Sequence, residues 1–320
     1  MNNNILFFAP VFKDLIWGGD KMAREYGYAI PSPTTGECWE ISAHPHGDCT
    51  CIAGDYKGKK LSELWAEHPE LFNTGAGNSG NTATTGEFPL LLKVIDAKDD
   101  LSVQVHPTDE YAKAHENGAS GKTECWYVLD CEPGAELIAG HNAHSREEIN
   151  RLIDEGRTCE LIRTVKVNPG DCLFIKAGTV HSIKGGVMLL ELQQNSDITY
   201  RIYDYDRIRD GKKRELHTEK AKETIALNGS ECTAVSTPNT AGTHKIADCK
   251  YFTEYRINVD GTETFTAGDT FATFFVTEGT GSADGTPIKK GDSFLLKAGA
   301  GPLTLTGNMT LIAATPGSVS

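Results

Sequence analysis

The sequence predicts a mainly β protein made of two β-barrel domains, with a few short helices inserted in the N-terminal half. Three observations support this prediction. Runs with the strand period of two recur along the chain, and one twelve-residue segment has a weak second copy. Beyond residue 243 the chain consists of short β-rich runs with turn residues about every eight to twelve positions, a pattern typical of a sandwich or barrel.

The repeated segment divides the chain into two domains. GDCLFIKAGTVH at residues 170–181 matches GDSFLLKAGAGP at residues 291–302 at its Gly, Asp, Lys, Ala and Gly positions. The final histidine of the first copy is replaced by proline in the second, and proline cannot bind a metal. We therefore expect a catalytic, metal-binding domain at residues 1–235 and a metal-free barrel at residues 236–320.

Helix signals occur only in the first of these domains. Four segments carry them: residues 61–72, 108–117, 145–156 and 218–227. Ser62 and Thr108 are the expected N-caps of the first two helices. Ser145 and Glu148 form a capping box at the start of the third.

Composition excludes several classes of function. At 320 residues the chain can bury a large core, and a net charge of −13 argues against nucleic acid or an anionic membrane as a partner. An anionic substrate would need a local group of basic side chains. Nine cysteines without a C-x-x-C favour a reducing cytoplasm over a disulfide framework. No apolar run approaches the roughly 20 residues that span a bilayer.

A candidate metal site comes from three strand-like segments. In SVQVH, Ser102, Gln104 and His106 share one face, and the two valines point to the other. Glu124 begins the next strand, and His181 ends the first copy of the repeat. Two imidazoles, a carboxylate and a carboxamide form a ligand set for a divalent transition metal with open positions.

Charged side chains in apolar strands suggest a polar cavity beside this site. Lys93 lies in PLLLKVI, Glu191 in VMLLELQ and Arg201 in ITYRIY, while Lys122 precedes the glutamate ligand. A charge in such a run is costly unless it is paired or faces a polar cavity. We expect these four side chains to take part in binding or catalysis in such a cavity.

Three further patterns leave two interpretations open. Trp17, next to two glycines, either lines a sugar site or belongs to an ordinary turn with a core tryptophan. The HPH sequence at residues 44–46 is more typical of a surface loop than of a metal site. Arg201 either stabilises charge in a reaction or forms an ion pair with Asp204 or Asp206.

These motifs resemble those of cupins. GDCLFIKAGTVH resembles the second cupin motif, with Lys176 where proline is usual. Gln104-x-His106 followed by Glu124 resembles the first, with glutamine for its first histidine and a longer insert before the glutamate. Together with SVQVHP, GKTECW and LLELQQNSDITYR, these features resemble a narrower family, type I phosphomannose isomerase in its short bacterial form. The resemblance runs from about residue 8 to the C-terminus.

The resemblance implies a fold and an activity. The two barrels would be cupin-type jelly rolls. The activity would be the zinc-dependent interconversion of mannose 6-phosphate and fructose 6-phosphate through a cis-enediol, with one Zn²⁺ per chain. The only partner implied is the sugar phosphate, with no nucleic acid and no membrane, and the chain is expected to be a monomer or homodimer.

Roles for individual residues follow from the residues and the resemblance together. The expected metal ligands are His106, Glu124, His181 and Gln104, the last either bound directly or held behind the other ligands. The expected catalytic residues are Arg201, Glu191 and Lys122, with Glu191 or Lys122 favoured over His217 as the base. The expected substrate-binding residues are Ser102, Lys93 and Trp17.

Two other functions fit the same ligands. Two histidines and a carboxylate also bind non-haem iron, so an iron-dependent cupin oxygenase is an alternative. A sugar-binding cupin without turnover is another. The buried charges around the site favour the isomerase, because an oxygenase needs fewer fixed charges of this kind.

Overall fold

The computed structural model describes residues 4–73, 86–209, 211–228 and 232–317. Strands predominate, and the described helices lie between residues 21 and 224. The predicted mainly β class with a few short helices is therefore confirmed.

The described strands, in chain order, are β1 (Ile5–Leu6), β2 (Phe8–Ala9), β3 (Val11–Gly19), β4 (Thr35–Ile41), β5 (Thr50–Cys51), β6 (Leu90–Ala97), β7 (Val103–Val105), β8 (Glu124–Cys131), β9 (Glu136–His141), β10 (Ile162–Lys166), β11 (Asp171–Ile175), β12 (His181–Ser182), β13 (Val187–Gln194), β14 (Tyr200–Tyr203), β15 (Ile208–Arg209), β16 (Lys212–Lys213), β17 (Val235–Ser236), β18 (Gly242–Asp248), β19 (Phe252–Phe265), β20 (Ala272–Ala283), β21 (Thr286–Lys289), β22 (Ser293–Leu296) and β23 (Leu303–Pro316). The described α-helices are α1 (Lys21–Tyr26), α2 (Leu61–Glu67), α3 (Asp109–His115), α4 (Arg146–Asp154), α5 (Thr158–Leu161) and α6 (Thr218–Thr224).

Thr108 and Ser145 are N-caps as predicted, but the capping box at Ser145 is only half formed, because the Glu148 carboxylate accepts the N–H of His144 and not that of Ser145. The Thr108 hydroxyl accepts the Tyr111 N–H at the start of α3, and the Ser145 hydroxyl accepts the Glu148 N–H at the start of α4. The prediction of Ser62 as a cap is wrong, because α2 begins one residue earlier and is capped at Lys60. Both the hydroxyl and the N–H of Ser62 donate to Asp48 instead, a contact that local sequence does not reveal.

Three antiparallel sheets organise the described chain. The catalytic sheet, as we call it, has the order β17-β11-β8-β13-β6-β3-β4. A five-stranded sheet has the order β10-β9-β12-β7-β14 and carries the predicted metal ligands Gln104 and His181. The C-terminal sheet has the order β1-β22-β20-β23-β19-β18, with β21 paired to β20.

The first strand of the chain belongs to the last sheet. Ile5 pairs with Leu296 and Leu6 with Leu295, so the N-terminus completes the edge of the C-terminal sheet. At the other side of the predicted boundary, Ser236 pairs with Asp171 of the catalytic sheet. The predicted domain boundary between residues 235 and 236 remains a proposal. Each of these two pairings joins a residue before that boundary to a residue after it.

An aromatic core joins the two halves of the chain. Trp65, Phe72 and Phe88 pack against Phe271, with the rings of Phe88 and Phe271 centred 5.2 Å apart. Phe72, Phe88 and Phe271 are at most 2% exposed. Separating the halves would expose these rings, so the halves stabilise each other by hydrophobic burial.

A buried carboxyl lies at the same junction. Glu40 accepts hydrogen bonds from the Tyr28 hydroxyl at 2.7 Å, the Ser293 hydroxyl at 2.8 Å and the Cys38 thiol at 3.1 Å. Burial raises the pKa of Glu40 to about 7, although these three donors oppose the shift. The carboxyl therefore titrates near neutral pH in the folded protein.

Glu40→Gln should reduce the pH dependence of stability. A carboxyl whose pKa is raised by folding stabilises the protein below its unfolded pKa of about 4.3, and that contribution disappears as the pH rises to about 7. Between these two pH values the free energy of unfolding of the wild type should fall by on the order of 3 kcal/mol more than that of the variant. Urea unfolding at each of the two pH values measures this difference. Glu25→Gln, at an exposed position, is the control. Equal pH dependence in wild type and Glu40→Gln would contradict the assignment.

Candidate metal centre and active-site cleft

Three buried side chains converge between the catalytic sheet and the five-stranded sheet. The two Nε2 atoms of His106 and His181 are 3.1 Å apart. Glu124 Oε2 is 3.4 Å from His106 Nε2, and Glu124 Oε1 is 3.5 Å from His181 Nε2. All three residues are at most 1% exposed.

The hydrogen bonds behind the two histidines determine their tautomers. His106 Nδ1 is 2.8 Å from the Ile198 carbonyl oxygen, and His181 Nδ1 is 2.9 Å from that of Thr179. A carbonyl only accepts, so each Nδ1 carries the proton and each Nε2 presents a lone pair. Glu124 Oε1 has no hydrogen-bond partner within the described ranges. Two facing lone pairs beside an unpartnered carboxylate oxygen fit a divalent metal, and Lys122 Nζ, 3.1 Å from His106 Nε2, supplies the positive charge beside them in this structure.

Electrostatics keep the ligands in the forms that bind metals. Burial, with Lys122 nearby, lowers the pKa of His106 to about 3, and burial also lowers the pKa of His181. Burial alone would raise the pKa of Glu124, but Lys122 and the two histidines hold it well below its usual value. Neutral imidazoles and an ionised carboxylate are the required ligand forms.

Gln104 lies beside the histidine pair. It is in register with His181 across β7 and β12, and its amide nitrogen is 3.3 Å from His181 Nε2. The Ser102 hydroxyl lies 3.4 Å from its amide oxygen. A half-turn of the amide would present oxygen to the metal position and nitrogen to Ser102, so Gln104 can complete the ligand set.

A charge ladder, as we call it, extends from the metal centre across neighbouring strands. It consists of five side chains of alternating sign: Glu124, Lys122, Glu191, Lys93 and Glu37. Glu191 lies 3.1 Å from each lysine, and Lys93 lies 3.6 Å from Glu37. Burial would lower the pKa of Lys93, but Glu191 and Glu37 raise it, so the lysine is charged. The ladder explains how an apolar sheet tolerates these charges.

One cleft collects the candidate residues. Its lining includes Trp17, Lys93, Ser102, Gln104, Lys122, Glu191 and Arg201. The three candidate metal ligands are in contact with this lining through Gln104 and Lys122. Trp17 and the two glycines lie within strand β3, so the predicted turn is wrong, but the Trp17 side chain does belong to a hydrophobic core and also lines the cleft.

Arg201 faces the cleft without an ion pair in the described part of the chain, and its Nε lacks a hydrogen-bond partner there. The alternative ion pairs are wrong. Asp204 bonds Arg214 Nε at 2.6 Å and also pairs with Arg207, while Asp206 pairs with Lys213. Burial, followed by the nearby Arg214, lowers the pKa of Arg201. This half-buried guanidinium is available to an anionic group.

The sequence did not identify some cleft residues. Glu37 and Arg214 line the cleft, as do Gln193 and Asp197. The buried strand GECWEIS and the need of Lys93 for a counter-charge could have identified Glu37. Arg214 occupies a polar segment with no distinguishing signal, and only the fold brings it beside Arg201.

The HPH sequence forms a hydrogen-bonded loop at the edge of the cleft. His46 Nδ1 is 2.5 Å from Asp197 Oδ2, and His44 Nε2 is 3.6 Å from Asp197 Oδ1. His44 Nδ1 accepts the His46 N–H, so the proton of neutral His44 is on Nε2. That nitrogen is not free to bind a metal, which agrees with the surface-loop interpretation.

Comparisons with known proteins agree along the whole chain. Residues 5–144 match the family described as phosphomannose isomerase type I, catalytic domain, and residues 242–316 match the mannose-6-phosphate isomerase cupin domain. Mannose-6-phosphate isomerase ManA of Bacillus subtilis is 46% identical over 320 residues, covering 96% of this chain and 97% of the relative. A mannose-6-phosphate isomerase of Streptococcus mutans is 44% identical, covering 80% and 79%.

A solved structure agrees with these matches. The crystal structure of the Bacillus subtilis mannose 6-phosphate isomerase superposes with a TM-score of 0.87 at 41% identity, covering 98% of this chain and 99% of that one. These relatives are named as isomerases and not as oxygenases. Among the described helices of this chain, none is long and apolar enough to cross a membrane.

Lys93→Met should destabilise the fold. The substitution leaves Glu37 without its ion-pair partner and removes one of the two lysines that bind Glu191. Breaking a buried pair on one side costs about 3–5 kcal/mol. Guanidinium unfolding should show this loss, with partial recovery in Lys93→Met/Glu37→Gln, where the unpaired charge is also removed. Lys98→Met, at an exposed position on the same segment, should change stability by less than about 0.5 kcal/mol. A similar small change for Lys93→Met would contradict the ladder's role.

Proposed function

This chain belongs to the type I phosphomannose isomerase family, and we propose that it interconverts mannose 6-phosphate and fructose 6-phosphate through a cis-enediol, with Zn²⁺ in the cleft. The observation that carries the proposal is the cleft itself. The buried candidate metal ligands contact the lining of this cavity through Gln104 and Lys122, and Glu191 and Arg201, the latter without an ion pair among the described residues, line it as well. The charge of the metal and the cations at the cleft would compensate the overall charge of −13 when an anionic sugar phosphate binds.

One zinc ion would be held by His106, Glu124 and His181, with Gln104 as the fourth ligand after its amide turns. Nitrogen and oxygen ligands suit zinc, and the isomerisation requires no redox chemistry. Bound zinc would act as a Lewis acid that polarises the sugar oxygens at C1 and C2. Lys122 Nζ, which lies 3.1 Å from His106 Nε2, would then remain with the carboxylates of the ladder.

Glu191 is the proposed base. The reaction moves one proton between C2 and C1 on the same face of the open-chain sugar, so it needs one carboxylate at a fixed position. Lys93 and Lys122 donate to Glu191, and the Trp126 indole N–H donates to it at 3.2 Å. Lys122 is the adjacent proton donor for a substrate oxygen. His217 is not part of the cleft lining and receives the backbone N–H of Arg201 on Nδ1.

Arg201 is the proposed stabiliser of the charge that develops in the enediolate. Its guanidinium remains charged and offers several N–H donors in one plane. Ser102, Lys93 and Trp17 are proposed to contact the sugar phosphate, since all three line the same cavity. We place the enzyme in the cytoplasm, a proposal supported by nine cysteines that are all free thiols.

Metal removal tests the proposed function. Purified protein stripped with a chelator should lose isomerase activity in a coupled assay with mannose 6-phosphate. Added Zn²⁺ should restore activity, with or without oxygen. His181→Ala should lose the cleft metal and turnover while keeping its circular dichroism, because the large core does not depend on this site.

His144→Ala is the matched control, since His144 is exposed and is not among the residues lining the cleft. Full turnover by metal-free protein would reject the metal's role. Turnover that requires oxygen would favour the oxygenase, and sugar binding without exchange of the C2 proton with solvent would favour the binding module.

Arg201→Lys should lower kcat far more than it raises KM. Lysine keeps a positive charge but loses the planar array of donors that would stabilise the enediolate. We expect about a hundredfold loss or more in kcat, comparable to removing one oxyanion donor. Metal content should stay unchanged, and steady-state kinetics on metal-replete protein measures the effect. Arg151→Lys, at an exposed helical position, should behave as wild type. A raised KM with normal kcat would show that Arg201 only binds the substrate.

A further inference from the structure

Two thiols lie on the face of the catalytic sheet opposite the candidate active site. Cys125 on β8 follows the ligand Glu124, and strand alternation points it to the opposite face of the catalytic sheet. Cys172 on the neighbouring β11 points to the same side, and the two Sγ atoms are 3.2 Å apart. Cys125 is 0% exposed and Cys172 is 4% exposed.

A carboxyl from the C-terminal sheet reaches this thiol pair. Glu254 on β19 places an oxygen so that it and the two sulfur atoms all lie within 4.8 Å of one another. Glu254 is 0% exposed, and the Cys125 thiol is the donor beside its carboxyl, in a geometry too poor for a full hydrogen bond. Burial raises the pKa of Glu254 to about 7, and the Cys125 thiol offsets only part of this shift. A buried carboxyl with only a thiol donor beside it is costly, so a further component would stabilise the cluster.

Strand register argues against a disulfide as that component. Cys172 is opposite Tyr127, and Cys125 is opposite Phe174, so the two cysteines are diagonal neighbours. Diagonal positions are about 7–8 Å apart, beyond the Cα separation of most disulfides. A metal ion avoids this restriction, because it binds each sulfur at about 2.3 Å without joining them.

We propose that Cys125, Cys172 and Glu254 bind a second zinc ion, which ties the C-terminal sheet to the back of the catalytic sheet. Thiolate and carboxylate are both zinc ligands, and the ion would replace the two thiol protons and the carboxyl proton. A cavity lined by Cys172, Cys232 and Thr233, among others, adjoins the cluster. Of the three proposed ligands, Cys172 lines this cavity, whereas Cys125 and Glu254 are fully buried behind it.

This site would be separate from the catalytic one. The C-terminal half provides only Glu254, so the prediction that this half binds no metal by itself still stands. The cleft would hold one zinc ion and the interface another. The inference does not depend on the proposed isomerase activity, because the two sites use different ligands on opposite faces of the sheet.

Cobalt distinguishes the two sites by their ligands. Full-length protein, stripped of metal under reducing conditions and reloaded with Co²⁺, should bind two equivalents and show a thiolate-to-cobalt charge-transfer band. The cleft ligands contain no sulfur, so His181→Ala should lose one equivalent and keep the band. Cys172→Ser should lose the band and one equivalent while the cleft keeps its ion. Glutamine has nearly the same shape as glutamate, so Glu254→Gln should keep the fold and raise the dissociation constant of the second Co²⁺ ion about tenfold or more.

Cys49→Ser is the matched control, because this buried thiol donates to the Trp39 carbonyl away from the cluster. It should bind both equivalents and show the band. A single equivalent without the band in wild type would overturn the proposal, as would a band that persists in Cys172→Ser. The number of thiols that react with a thiol reagent can also be compared before and after reduction. If the unreduced wild type has two fewer, and these are Cys125 and Cys172, the two cysteines form a disulfide and the proposal is overturned.

Discussion

A buried ladder of alternating charges holds the active site together. Glu191 at its centre contacts Lys93 on one side and Lys122 on the other, and each lysine contacts a further carboxylate. Removing either lysine would leave three carboxylates with a single lysine in a water-poor environment. The ladder also depends on register, because a slip of one residue in β13 would turn Glu191 into the hydrophobic core behind the sheet.

The catalytic sheet separates two environments. Its cleft side carries Glu124 and Glu191, whereas its other side carries Cys125, Leu190 and Leu192 against the C-terminal sheet. The aromatic core there excludes water from the back of the site, and the candidate metal ligands are themselves desolvated. Desolvation explains why the histidines are neutral and why the glutamate ligand depends on neighbouring positive charge for its ionised form.

The ion pairs of Asp204 determine which guanidinium at the cleft is available. Asp204 is shared by Arg207 and Arg214, so its negative charge is already compensated. Arg201, on the same strand segment, is left without an ion pair among the described residues. The cleft of a strongly acidic protein thereby presents an available positive group to an anionic substrate.

The sequence by itself determined the features that depend on local periodicity. Strand alternation grouped Gln104 with His106, the repeated segment pointed to His181, and the cost of a buried charge implied a partner for Lys93. Only the tertiary structure decided that this partner is Glu37 as well as Glu191, that the first strand completes the last sheet, and that Asp48 takes the hydrogen bonds of Ser62. The physical reason is that side-chain direction follows from neighbouring residues, whereas strand pairing and charge partners follow from which distant segments pack together.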